Sequence, residues 1–152
     1  MNWNKAQTLM ETARDKSEGK PIANNTRLYF ETALSDNIAY PRYIIRLHGN
    51  VIMQIYRDKI VPLDGGWRTV TTKERLNRYL PRGYKVYQKD WEWYLEVRDS
   101  IKVEPKTYPF DDVHWIHNDG RVMLYNTHPN YPNEEIKRTL VMKDILNKYK
   151  GE

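Results

Sequence analysis

The chain has 152 residues, formal net charge +5, twelve tyrosines, five tryptophans and no cysteine. That length fits one domain with an aromatic-rich core. Disulfides and thiolate zinc sites are excluded, and no apolar run approaches the roughly 20 residues that span a bilayer, so the chain reads as soluble and cytoplasmic.

In chain order, residues 2–17 read as an amphipathic helix, with Trp3, Ala6, Leu9/Met10 and Ala13 on one face. The stripe is narrow, which marks the helix as peripheral. Gly19 and Pro21 end it. The period then changes to alternation. Residues 26–31 are a strand and 35–41 a loop. Residues 43–48 and 51–57 form a hairpin across Gly49-Asn50, and Asp58-Lys59 turns the chain into a strand at 60–63. Asp64-Gly65-Gly66 breaks that strand and 67–70 resumes it.

Thr71-Thr72-Lys73-Glu74 has the form of a capping box, in which the glutamate reaches back to the cap. It starts a helix over 72–80, stopped by Pro81-Arg82-Gly83, with Leu76 and Leu80 facing the core and Val70 stapling the entry. Strands follow at 84–88 and 91–97 around Lys89-Asp90, then a Pro-containing connection at 100–110. Strands at 113–117 and 121–125 flank Asn118-Asp119-Gly120, a strong hairpin signal. Residues 127–133 are loop, and Asn133 caps a final helix over 134–149, with Glu134 and Glu135 at its positive end.

The expected fold is therefore α+β: an antiparallel sheet of hairpins or meander, a short internal helix, and N- and C-terminal helices. One domain spans 1–152, with a peripheral helix in 1–20, an α+β core over 26–125 and the last helix in 133–149. Two strand-then-helix halves raise the question of duplication, but no residue-level repeat accompanies them. Trp67, Leu76, Leu80, Trp93 and Leu95 are the expected core anchors.

The segment 67–89 holds seven basic residues and one acid, Glu74, so its +6 exceeds the +5 of the whole chain. Arg75, Arg78 and Arg82 stand at i, i+3 and i+7, a stripe if the helix persists past Pro81, and Arg68, Lys73 and Lys85 flank it. Planar guanidinium groups bind phosphate bidentately, and Trp67, Tyr79, Tyr84 and Tyr87 are candidates for stacking on unpaired bases. The plain alternative is a solvated helix face with those aromatics in the core. Gly65-Gly66 lacks the Gly-Lys-Ser/Thr ending of a phosphate loop and reads as tight-turn geometry.

His114 and His117 are three apart in a strand and point to opposite faces, so they do not chelate as a pair. A mixed site from Asp111, Asp112, His114 and His128 is the weaker metal reading, and a nuclease, either metal-dependent or using the two histidines His48 and His117, is a distant third functional reading. No nucleophile elbow, paired-carboxylate motif or cysteine nucleophile is present. The expectation is a non-catalytic protein without cofactor or bound metal.

The run containing Arg46-Leu47-His48, Gly65-Gly66-Trp67-Arg68-Thr69, Thr71-Thr72-Lys73 and Leu80-Pro81 resembles a family of small bacteriophage proteins. Trp93-Tyr94-Leu95 and the Asp119-Gly120 hairpin are similar to that family's weaker second block. The resemblance implies a viral origin, an infected bacterial host as location, and one compact domain; it brings no activity, cofactor or catalytic residue. Two functions from different classes stay open. One is binding of nucleic acid or another polyanion through Arg68, Lys73, Arg75, Arg78, Arg82 and Lys85. The other is inhibition of a host protein or defence complex, whose acidic surface the same arginines would meet.

Overall fold

The computed structural model describes residues 1–98 and 104–125. Helix α1 (Trp3–Glu11) opens the chain. Strands β1 (Lys20–Ala23), β2 (Thr26–Ser35), β3 (Ile38–Leu47), β4 (Asn50–Ile55) and β5 (Lys59–Pro62) lead to helix α2 (Val70–Tyr79). Then come β6 (Tyr84–Lys89), β7 (Glu92–Val97), β8 (Lys106–Pro109), a 3₁₀ turn at Phe110–Asp112, β9 (Val113–His117) and β10 (Val122–Leu124). Every strand pairing is antiparallel. Seven strands form one sheet in the order β1-β2-β3-β4-β5-β9-β10, and β6-β7-β8 form a second.

This arrangement corrects the α+β expectation. Strands hold 48% of the described residues and helices 18%, so the fold is mostly β, with two short α-helices packed on it. Three misread stretches account for much of the difference. Residues 20–23 do more than end a helix: Ala23 pairs with Thr26 across Asn24-Asn25, making β1 the sheet edge. Residues 35–41 are not a loop, because only Asp36-Asn37 turns, with φ of 50° and 65°. Such two-residue turns match the twist of paired strands. Pro41 is accommodated in β3 because β4 flanks only residues 43–47 of that strand. Residues 100–110 conceal β8, which pairs with β7. The helix expected over 134–149 and its Asn133 cap lie outside the described residues.

Smaller shifts share one cause. The turns expected at Gly49-Asn50 and Lys89-Asp90 sit one residue away, at His48-Gly49 (φ 52° and 81°) and Asp90-Trp91 (φ 50° and 70°). Cross-strand pairing of Leu47 with Asn50 and of Lys89 with Glu92 sets both positions. The hairpin at Asn118-Asp119-Gly120 forms as expected, with Gly120 at φ 96°.

One core joins both sheets and both helices. Ala6 and Met10 of α1 are buried, and Trp3 meets Tyr43 edge-on at 4.7 Å, so this helix is integral to the fold. Leu76 and Leu80 are buried from the α2 side, and Trp93 and Leu95 from β7, all as expected. Trp67 is the exception at 68% exposed. The strand does not resume there: Trp67 N–H donates to the Asp64 carbonyl at 3.1 Å, closing a turn that leads straight into α2. Gly65 takes φ 67° in that turn, where a Cβ would stand 3.1 Å from the Ile52 methyl.

Leu76 is fully buried between the sheets. Leu76→Ala should lower stability by about 2–5 kcal/mol as a cavity substitution, read as a lower denaturant midpoint at unchanged slope.

Candidate polyanion-binding surface

Helix α2 starts at Val70 because Thr69, in extended conformation, accepts the Thr72 N–H on its hydroxyl at 3.1 Å. The expected capping box at Thr71–Glu74 is therefore displaced by two residues. Glu74 turns outward and pairs with Arg75 and Arg78. Thr72, Leu76 and Tyr79 form the buried stripe. Asn77 pins the helix to β6, donating to the Val86 carbonyl at 2.9 Å and accepting the Val86 N–H at 2.7 Å.

Arg75 does not stand clear of the core face. Its side chain is 11% exposed. Nε donates to the Thr26 hydroxyl at 2.9 Å and Nη2 to the Asn24 carbonyl at 3.0 Å, which ties α2 to the β1–β2 turn. Arg78, 48% exposed, shares Glu74 with it. Burial acts to raise the Glu74 carboxyl, but hydrogen bonds from Arg75 and Arg78 outweigh it and hold the group below the ordinary glutamate range.

Arg68 is similarly engaged. It bonds Asp64 at 3.0 Å, pairs with Asp111, and lies over the Trp93 and Phe110 rings at 5.2 and 5.5 Å. Lys73 donates to Gln88 at 2.9 Å. Arg82 and Lys85 are exposed, and neither forms an ion pair among the described residues. On the outer face of the second sheet Lys85 opposes Glu96, and Lys89 opposes Glu92. The six expected contact residues thus do not form one free stripe. Arg68 and Arg75 serve as internal ties, Lys73 is tethered, and Arg78, Arg82 and Lys85 face solvent.

The candidate stacking aromatics divide in the same way. Tyr79 is buried, Tyr84 donates to the Gly120 carbonyl at 3.0 Å, and Tyr87 stacks on Tyr94 at 5.6 Å. Trp67 is exposed, and so is Trp91, at 90%, in the β6–β7 turn, a position sequence patterning did not single out.

The cations that converge come partly from elsewhere. Lys5 of α1, Lys20 of β1 and Arg78 of α2 line an open cleft of about 510 Å³, walled by Leu9, Pro21, Ile22 and Tyr79. The lining holds no carboxylate. Lys5 and Lys20 are distant from α2 in sequence, so charge counting along the chain misses them.

The two histidines of the nuclease reading are held apart: His48 stands in the turn before Asn50, whereas His117 lies opposite Lys59, beside the Ile55 end of β4, where burial, then Arg121, lowers its pKa. His114 stacks on Tyr125 at 4.2 Å. Among the described residues no group of three His, Asp or Glu side chains is arranged to hold a metal ion; His128 lies outside them. No helix among the described residues is long and apolar enough to cross a membrane.

With this geometry in place, the comparison with known families gives the class: this is a bacteriophage protein, as the resemblance implied. The family described as Kyanoviridae Gp96 protein matches residues 2–122, and the chain belongs to that family. No curated protein and no solved structure matches it.

Two outcomes follow from the arginine ties. Arg75→Ala should lower stability by about 1.5–3 kcal/mol, the range for hydrogen bonds to a charged group. Arg82→Ala should stay within about 0.5 kcal/mol of wild type, so comparing the two denaturant midpoints checks the assignment. The second concerns acid. Burial acts to raise the Asp64 carboxyl, but the Gly66 N–H and the Arg68 guanidinium outweigh it and hold it below the ordinary aspartate range. A lowered folded value means its contribution is complete above the unfolded value of about 3.9 and fades as pH falls through the folded one. The stability gap between wild type and Asp64→Asn should therefore shrink from about pH 6 to about pH 2.

Proposed function

We propose that the protein is a non-catalytic binding protein for nucleic acid or a similar polyanion, acting through the cleft between α1, β1 and α2. The observation that carries this reading is the convergence of Lys5, Lys20 and Arg78 on an open cleft whose lining has no carboxylate; Arg78 is paired with Glu74 outside that lining, and Lys5 and Lys20 form no ion pair among the described residues. Arg82 is exposed just past the C-terminal end of α2 and is not part of the cleft lining. Ammonium and guanidinium groups in the cleft neutralise phosphates and release condensed counterions, which favours association and makes it salt-sensitive. The proposed binding is set by backbone charge, with no sequence preference claimed.

A second reading is favoured by the apolar walls between the cations. Leu9, Pro21 and Ile22 would suit an acidic segment of a host protein that also inserts an apolar side chain. The inhibitor hypothesis belongs to this reading.

Fluorescence anisotropy with a random-sequence single-stranded oligonucleotide tests the first reading. Affinity should fall with salt by roughly 0.7 logarithmic units per decade for each phosphate contact. The combined variant Lys5→Gln, Lys20→Gln, Arg78→Gln should lose binding while keeping a melting midpoint close to that of wild type. Retained binding in that variant would refute the cleft. A wild type that ignores oligonucleotides yet holds an acidic host protein, and releases it on the same substitutions, would favour the second reading.

A further inference from the structure

The β2–β3 hairpin is longer than its support. β2 and β3 pair along all ten residues, but β1 flanks only residues 26–28 of β2, and β4 only residues 43–47 of β3. The remainder is a two-stranded arm. Its base is fixed by Arg42, which pairs with Glu31 and donates to the Tyr56 hydroxyl at 3.1 Å. Phe30, just inside that base and edge-on to Tyr43, is 47% exposed, and beyond the base the arm is apolar and open: Leu34 is 77% exposed, Ile38 54% and Tyr40 44%. Residues 30–41 contain no lysine or arginine, and Asp36 stands in the tip turn. A two-stranded ribbon is marginal alone in water. Leu34 faces one side of it with Ala39, and Ile38 and Tyr40 face the other with Ser35 and Ala33, so the tip is apolar on both sides, and exposed apolar side chains of this kind mark a contact surface. Lack of cations sets the arm apart from the polyanion cleft.

The matching surface is on the same chain. A cleft of about 380 Å³ has the buried Leu47 and Ile52 at its floor, His48, Asn50 and three threonines in its walls, and Trp67 on its exposed rim. Beside it Val70, the first residue of α2, is 79% exposed. The first turn of α2 contains no acidic residue, so the partial positive charge at this helix end is open to a carboxylate. Asp64, the carboxylate in the cleft, is already paired with Arg68.

Ile38 and Leu47 are the two ends of β3, roughly 30 Å apart at the usual strand rise. The arm tip therefore lies at the opposite end of this strand from the cleft and cannot fold back into it.

We propose that the tip of this arm in one copy docks at the Trp67 cleft of a second copy, with Leu34 and Ile38, on opposite faces of the tip, meeting Trp67 and Val70 and with Asp36 at the start of α2. Such a contact joins two different surfaces, so it repeats head to tail and gives a ring or a filament.

Sedimentation equilibrium of the full chain over a concentration series tests this, with Leu34→Asp removing the arm and Trp67→Asp removing the cleft. Both residues are exposed, and an unchanged melting midpoint confirms folding; if either midpoint drops, Ile38→Asp or Val70→Asp replaces it. Wild type should assemble beyond a dimer, and each variant alone should be monomeric, its dissociation constant raised roughly tenfold or more. An equimolar mixture of the two variants retains one intact arm and one intact cleft per pair, so it should form dimers and nothing larger. A wild type that stays monomeric to roughly 100 μM, a Trp67→Asp chain that assembles as wild type does, or a mixture that stays monomeric would overturn the proposal.

Discussion

The seam between α2 and the first hairpin depends on one charged side chain. Arg75 reaches from the helix to Thr26 and to the carbonyl of Asn24, and Asn77, two residues on, holds the helix to Val86 of the second sheet. A single ten-residue helix thus fastens two sheets that share no strand. A guanidinium suits this position because its planar fork meets two acceptors at once while its stem packs against apolar neighbours. A lysine has the charge without the fork. The position of α2 in turn sets where Leu76 enters the core and which way Arg78 faces.

That constraint redistributes the charge. In sequence, 67–89 is a dense cationic segment. In the fold, Glu74 pairs with two of its arginines, Asp64 and Asp111 with a third, and Glu92 and Glu96 oppose two of its lysines. Exposed pairs of this kind add little stability, but they reduce the field that a partner meets. Of the cations that line the cleft beside α2, Arg78 is paired with Glu74, whereas Lys5 and Lys20 form no ion pair among the described residues.

Sequence patterning recovered the elements that rest on local signals. The hairpin at Asn118-Asp119-Gly120, the buried pair Leu76 and Leu80, and the alternation through Trp93 and Leu95 all follow from period and turn chemistry. It failed where partners are remote. β1 and β8 are short edge strands defined by pairing with β2 and β7, not by their own composition. Pro41 and Asp36-Asn37 read as loop residues, although an unflanked strand tolerates a proline and a two-residue turn accepts positive φ. Trp67 looked like a core anchor because of its size, whereas the turn at Asp64 fixes it outside. For the candidate site, sequence located Arg78 but not Lys5 and Lys20, which chain folding alone brings beside α2.

The two proposed contacts use different parts of the surface. None of Lys5, Lys20 and Arg78 lines the Trp67 cleft or belongs to the β2–β3 arm. A head-to-tail assembly therefore leaves each cationic cleft open and repeats it at the spacing of the subunits. Three cations per copy give weak contact with a phosphate backbone, whereas a row of such clefts on one strand makes each later contact intramolecular. Affinity for a long polyanion would then rise with length far more steeply than for an oligonucleotide that fills a single cleft. If both proposals hold, the apolar arm would set how many clefts act together, and the basic cleft what they hold.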